Sequence, residues 1–196
     1  MSRAERMAQD ALLVMDVQRG IVDRLGDHAP RYLARVRAAI EAAHASEIPV
    51  IYVVIGFRPG QPEASARNKF LRGLGGGVGF TDGDPGAGIH PDIAPRPTDL
   101  VVRRARVSAF AGSDLDLLLR AREIDGLVLS GISTSGVVLS TTRHASDLDF
   151  RITVLADGCL DADAEVHRVL TEKVFPRQAD VVTIDEWVRA IGRRTS

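Results

Sequence analysis

Polar residues that could do chemistry follow each apolar run of the chain. Asp16 is the most informative, because it comes directly after the run ALLVM. A carboxylate at the end of a buried strand must pair with a cation, cap a loop or transfer protons with a shifted pKa. The other residues in comparable positions are Gln18, Phe57, Arg58, Arg103, Arg104, Arg106, Ser133, Thr134, Ser135, Asp157 and Cys159.

The stretch GISTSGVVLS falls where a strand is predicted to turn into a helix. Backbone N–H groups at such a helix start can bind an anion or an oxyanion, and the helix dipole would activate a nucleophile there. Ser133, Thr134 and Ser135 could equally serve as ordinary helix caps.

The sequence shows no metal-binding pattern and no serine-hydrolase pattern. Its five histidines are scattered without the spacing of a metal motif, and we expect His44 and His144 on helix surfaces. Cys159 is the only cysteine, so neither an internal disulfide nor a multi-cysteine zinc site is possible. A G-x-S-x-G elbow is also missing. We therefore expect neither a metal nor another cofactor.

Short apolar runs alternate with amphipathic stretches, which predicts an α/β fold. We expect a three-layer α/β/α sandwich with a mostly parallel, six-stranded, Rossmann-like sheet in one domain over residues 1–196. The predicted strands are Ala11–Val17, Ile48–Ile55, Asp99–Arg103, Gly126–Ile132, Arg151–Ala156 and Ala179–Ile184. The predicted helices are Pro30–Ser46, Ser113–Glu123, Ser135–Ser146, Ala162–Phe175 and Asp185–Ile191, with Ser113 as an N-cap.

A long connection over residues 56–98 interrupts this alternation and holds most of the prolines and the run GLGGGVGF. A connection of this length is usually functional, and we expect a lid or an oligomer arm. The glycines lack the G-x-G-x-x-G spacing of a dinucleotide site, so we interpret them as loop flexibility.

Composition and charge narrow the range of partners. The 196 residues carry 25 basic and 26 acidic side chains, a balance that gives no electrostatic reason to bind nucleic acid or an anionic membrane. The first apolar run is too short to span a bilayer, and it lacks the cleavage pattern of a secretory signal. We therefore expect a soluble, cytoplasmic protein.

Two segments of the chain resemble motifs of a known superfamily. ALLVMDVQRGIV is similar to the first-strand motif of the isochorismatase-like hydrolases, and residues 103–163 are similar to the second half of those proteins, motif after motif. This superfamily includes nicotinamidases, N-carbamoylsarcosine amidohydrolases and isochorismatases. The resemblance implies a hydrolase that acts on a small molecule and forms a homodimer or a larger homo-oligomer.

The resemblance assigns catalytic positions residue by residue. The family aspartate is Asp16, and the family lysine, four residues before Ser108-Ala109-Phe110, is Arg104 here. The family cysteine, three residues after Thr134, is Val137, which has no nucleophilic atom. The substrate-binding positions that the resemblance implies are Gln18, Phe110, Ser133, Thr134, Gly136 and Val137.

Three functional hypotheses follow. In the first, the chain hydrolyses its substrate without a covalent intermediate, as true isochorismatases are understood to do, with Asp16 as general acid or base. Arg104 would supply positive charge or anchor a substrate carboxylate, although its permanent charge is expected to hold Asp16 ionised. In the second, the chain is an inactive relative that binds or assembles. In the third, it is an amidase with a displaced nucleophile, Cys159 or a serine near the helix start.

Overall fold

The strands form one parallel six-stranded sheet, as predicted. A computed structural model describes residues 9–73 and 80–193 of the chain. The strands are β1 (Asp10–Met15), β2 (Val50–Ile55), β3 (Leu100–Arg104), β4 (Gly126–Ile132), β5 (Arg151–Leu160) and β6 (Asp180–Val182). Their order in the sheet is β3-β2-β1-β4-β5-β6, and every neighbouring pair is parallel. The order reverses between β1 and β4, where open α/β sheets bind ligands at the carboxyl ends of their strands.

Helices cover both faces of this sheet and explain why the central strands are continuously apolar. The helices are α1 (Arg19–Val22), α2 (Ala29–Ala45), α3 (Lys69–Gly73), α4 (Leu115–Ala121), α5 (Leu139–Asp147), α6 (Ala164–Val169) and α7 (Ile184–Gly192). On one face, α2 and α7 pack against Leu12 and Val14, and on the other, α4 and α5 pack against Leu13 and Met15. Since alternate side chains of β1 point to opposite faces, both sets must be apolar.

The connection between β2 and β3 is folded over much of its length. It contains α3 and two short 3₁₀ turns, and isolated bridges join Gln18 to Ile89 and Phe57 to Thr81. A small apolar cluster of Ile55, Phe57, Leu71 and Phe80 anchors it to the end of β2. The predicted glycine flexibility falls mainly on residues 74–79, which lie outside the described residues.

Strand β5 is longer than the sequence pattern indicates. The prediction ended it at Ala156, because Asp157 and Gly158 look like a turn, but pairing with β4 resumes after a bulge and places Cys159 opposite Gly131. A strand can absorb extra residues in a bulge without leaving the sheet. Cys159 therefore lies inside the sheet instead of following it.

Smaller differences concern one helix start and two histidines. Helix α4 begins after Asp114, although the Ser113 hydroxyl still accepts a hydrogen bond from the Leu115 amide at 3.3 Å. His44 and His144 were expected on the surface, but both are half-buried, since His44 pairs with Asp99 at 2.8 Å and His144 contacts the Ser108 hydroxyl. Within residues 9–73 and 80–193, none of the helices has the length and apolar character needed to cross a membrane.

Candidate active site

Asp16 lies at the carboxyl end of β1, beside the point where the strand order reverses. Its backbone is left-handed, with a φ of 59°, and its amide donates a 2.8 Å hydrogen bond to the Val53 carbonyl. The residue is only 4% exposed. A left-handed conformation is uncommon for a residue other than glycine, and such conformations concentrate at functional sites. The backbone thus turns the carboxylate into the crevice at the switch point.

Arg104, at the end of β3, is 1% exposed and forms an ion pair with Asp16. Its Nη2 donates to Oδ2 of Asp16, and its Nη1 donates to the carbonyl oxygen of Arg106. Oδ1 of Asp16 and Nε of Arg104 are buried without a hydrogen-bond partner among the described protein atoms. The pair is therefore held together while one acceptor and one donor remain unsatisfied, which is unusual for buried polar groups.

Burial raises the pKa of Asp16 above its ordinary value of 3.8. The charge of Arg104, its hydrogen bond and the Ile55 amide all act in the opposite direction, but burial is the largest influence. The sequence led us to expect that Arg104 holds Asp16 ionised. The charge and the hydrogen bond of Arg104 do favour the ionised form, whereas the net shift of the pKa is in the direction that a general acid requires.

Val137, which the resemblance places at the cysteine position of the family, is part of the core. It lies in the wide turn Thr134–Val138 that leads into α5, and it is 2% exposed. It belongs to the same apolar cluster as Met15 and Phe110. This position therefore contributes packing and no nucleophile.

The polar groups at the start of this turn already have partners. The Thr134 hydroxyl contacts Nδ1 of His167 at 2.8 Å, and the Ser135 amide donates to Asp161 at 2.7 Å. The Gly136 amide donates to the Ser133 carbonyl oxygen at 3.2 Å. The peptide bond between Ile132 and Ser133 is cis. The Asp161 carboxylate therefore already accepts the hydrogen bond of the Ser135 amide, one of the donors that an oxyanion would use.

Gln18 is fully buried, and the hydrogen bonds of its side chain connect three parts of the backbone. Its Nε2 donates to the carbonyl oxygens of Ile55 at 3.0 Å and Ala87 at 2.7 Å, and its Oε1 accepts from the Ile55 amide at 2.9 Å. These bonds attach the residues after β1 to β2 and to the long connection. In this conformation the amide of Gln18 positions the backbone around Asp16, and its predicted substrate contact stays a prediction.

Phe110 also lies in the core beside the turn. Its ring centroid is 5.0 Å from that of His144 and 5.8 Å from that of Phe150. The structure thus brings Asp16 and Arg104 into direct contact, whereas Phe110 and Val137 support the site from the apolar side.

Tyr32 on α2 is a buried polar residue that the sequence analysis did not select. Among the described residues its hydroxyl has no hydrogen-bond partner of ordinary geometry. Burial raises its pKa well above the ordinary value. The sequence did contain a signal for this residue, because a tyrosine lies in the apolar stripe of a helix. A buried tyrosine hydroxyl usually needs a hydrogen-bond partner.

Cys159 is 3% exposed on β5, and its Sγ lies 3.9 Å from the Leu129 carbonyl oxygen. Burial raises the pKa of its thiol to about 12. A nucleophilic cysteine needs a thiolate at working pH, which this environment disfavours.

We expect Cys159 to react with a chromogenic thiol reagent at neutral pH only after the protein unfolds, because the native thiol is buried and protonated. The Cys159→Ala variant should retain the wild-type rate on any substrate. The denatured protein, which must be labelled at once, is the control. Rapid labelling of the native protein with loss of activity would revive the displaced-nucleophile hypothesis.

Comparison with known proteins agrees with this fold. The family model of the isochorismatase domain matches residues 10–186. The uncharacterized isochorismatase family protein YecD of Escherichia coli O157:H7 is 30% identical over 92% of this chain and 95% of its own length. The ureidoacrylate amidohydrolase RutB of Stutzerimonas stutzeri is 29% identical over 96% of this chain and 82% of its own.

A solved structure has the same architecture. The cysteine hydrolase from Pseudomonas syringae pv. phaseolicola 1448A superposes with a TM-score of 0.87 at 22% identity, covering 94% of this chain and 93% of that one. This chain belongs to the isochorismatase family of hydrolases.

Proposed function

We propose that this chain hydrolyses a small-molecule substrate without a covalent intermediate, with Asp16 as the proton-transfer group. The observation that carries the proposal is the buried Oδ1 of Asp16, which has no hydrogen-bond partner in the part of the chain that the structure describes and belongs to a carboxyl group whose pKa is raised. The alternative nucleophiles are weak, since Val137 has none to offer and the Cys159 thiol is buried.

In this mechanism the protonated Asp16 gives its proton to the substrate, and water adds to the carbon of the bond that is cleaved. The proton that the added water loses returns to the Asp16 carboxylate and restores the acid. Either a vinyl ether or an amide can be hydrolysed in this way, and the likeness to an amidohydrolase supports an amide in the substrate panel. Arg104 would stabilise the Asp16 carboxylate that remains after proton transfer, or hold an anionic part of the substrate.

Access to Asp16 requires movement of the covering segment. The His90 amide donates to the Val17 carbonyl at 3.0 Å, and the Arg19 amide donates to Gly88 at 2.9 Å, so residues 88–90 lie along the chain that follows Asp16. We propose that this part of the connection opens as a lid. The bonds that would have to break are these two backbone bonds and the 2.7 Å bond from Nε2 of Gln18 to the neighbouring Ala87 carbonyl oxygen.

A second candidate function is binding or assembly without catalysis. It is favoured by the burial of Asp16, Arg104 and Val137 and by the closed ion pair, which together leave little room for a substrate. Either function is compatible with a cytoplasmic homodimer or larger homo-oligomer, which we also propose and which light scattering tests.

The deciding experiment compares wild type with Asp16→Asn on isochorismate and on a panel of amides. We expect Asp16→Asn to lower kcat/KM by about a hundredfold or more, because proton transfer by a positioned group contributes on that scale. Asn keeps the shape and tolerates the left-handed backbone. Asp116→Asn, an exposed change on α4, is the matched control. No activity in any of the three proteins would favour the non-catalytic candidate, whereas equal measurable rates in all three would exclude Asp16 as the proton-transfer group.

A further inference from the structure

A second polar site lies at the carboxyl end of the edge strand β3. A groove of about 870 Å³ opens there, between the end of β3, the residues after β2 and the segment before α4. Four arginines and two acidic residues line it: Arg58, Arg103, Arg104, Arg106, Glu63 and Asp114. Four arginines on the wall of one groove indicate an anionic ligand.

Three of these arginines already face a carboxylate. Arg58 pairs with Glu63, and Arg104 pairs with Asp16. Arg103 donates from Nη1 to both carboxylate oxygens of Asp82, at 2.9 and 3.1 Å. Asp16 and Asp82 lie outside the groove lining, but they offset the positive charge of Arg104 and Arg103. The net charge of the groove alone would therefore attract an anion only weakly.

Arg106 differs from the other three. Its guanidinium donates to the Ala105 carbonyl at 2.6 Å, and among the described residues no carboxylate lies within salt-bridge distance of it. Asp114, exposed at the start of α4, is the remaining acidic residue of the groove wall. Arg106 is therefore the arginine whose charge is available to a ligand.

Two further donors on the groove residues are unsatisfied. Nη2 of Arg103 and Nε of Arg104 are buried and have no hydrogen-bond partner among the described protein atoms. A buried donor without an acceptor is costly, and a charged donor more so. Oxygen atoms of a bound anion would satisfy such donors and form charge-assisted hydrogen bonds.

We propose that this groove is a binding site for a small oxyanion, a carboxylate or a phosphate, held by Arg103, Arg104 and Arg106. The site goes beyond the proposed hydrolysis and requires no turnover. Its donors are guanidinium N–H groups of arginines on the strand end and on the turn after it. Since nearby carboxylates offset most of their charge, recognition depends on hydrogen bonds more than on net charge.

Arg104 links this site to Asp16, because one guanidinium serves both. Its Nη2 donates to Asp16, whereas its Nε has no hydrogen-bond partner among the described protein atoms. Arg104 also forms part of the groove wall. A ligand in the groove and the carboxylate of Asp16 therefore compete for the same positive charge. At a pH where Asp16 is ionised, Asp16→Asn removes this competing charge and should tighten anion binding by about tenfold, a typical coupling between two sites.

The test is an isothermal titration calorimetry experiment at constant ionic strength. The full chain is titrated with malonate and, separately, with inorganic phosphate. We expect saturable binding of one of the two, and the one that binds identifies a carboxylate or a phosphoryl ligand. Arg106→Gln should weaken it by about tenfold or more, the effect of losing one hydrogen bond to a charged group. Arg168→Gln removes an exposed arginine of α6, which pairs with Glu165 and Glu172, and should change nothing.

Several outcomes would overturn the proposal. They are absence of saturable binding for both anions, an unchanged affinity in Arg106→Gln, or an equal loss in Arg168→Gln. Unchanged binding in a folded Asp16→Asn variant would remove Arg104 from the site. Because the titration measures binding alone, failure of the hydrolase proposal leaves the result intact.

Discussion

Replacing Arg104 by methionine is expected to destabilise the folded protein by about 3–5 kcal/mol, as for other broken buried ion pairs. Arg104 is 1% exposed and bonded to Asp16, so the substitution leaves a buried carboxylate without its cation. Urea unfolding monitored by circular dichroism measures the change. A loss below about 1 kcal/mol would show that the pair is more hydrated than its burial indicates.

The double variant Asp16→Asn/Arg104→Met separates the charge from the packing. Each single change leaves one buried charge without its partner, whereas the double change removes both charges. We expect the double variant to be more stable than the sum of the single losses predicts, by about 2 kcal/mol. Strict additivity would contradict a direct interaction between the two side chains.

The effect of Arg104→Met should also depend on pH. In this variant, burial acts on the pKa of Asp16 without the opposing cation, so the folded-state pKa stays above the unfolded value. The folded state then retains a proton that the unfolded state releases. The stability of the variant is therefore fully present below the ordinary pKa of 3.8 and falls as pH rises toward the raised one. Unfolding curves at mildly acidic and at neutral pH would show this decline.

Gly131→Ala is expected to cost about 3 kcal/mol or more, at the upper end of overpacking effects, or to prevent folding. An added Cβ would lie 2.4 Å from the Met15 carbonyl oxygen and 2.9 Å from the Met15 Cβ. Met15 and Gly131 are register partners on the central strands β1 and β4, so neither backbone can move without disturbing the sheet. Thermal or urea unfolding measures the loss.

Gly88→Ala is the matched control for this substitution. Its nearest contact to an added Cβ would be the Pro85 carbonyl at 3.8 Å, an ordinary van der Waals distance. We expect a change within about 0.5 kcal/mol, as for other surface substitutions. If Gly131→Ala were equally mild, β1 and β4 would have to separate more easily than a central strand pair should.

Much of the fold was predictable because local patterns report burial. The near-continuous apolar run of β1 predicted a strand covered on both faces, and this strand lies at the centre of the sheet. Asp16 stood out as a carboxylate at a strand end for the same reason. The end of β5 was missed, since a bulge is specified by pairing with β4 and not by the residues of β5 alone.

The sequence by itself determined the family, the order of the elements and the absence of a nucleophile at Val137, because these depend on residue identity and spacing. Tertiary structure alone decided that Arg104 pairs with Asp16, residues 88 positions apart, and that the surrounding protein buries both. It also buries Asp16, which raises the pKa of its carboxyl group, and places no carboxylate of the described residues within salt-bridge distance of Arg106. Desolvation and ion pairing depend on every atom packed around a charge, and no local stretch of sequence contains that information.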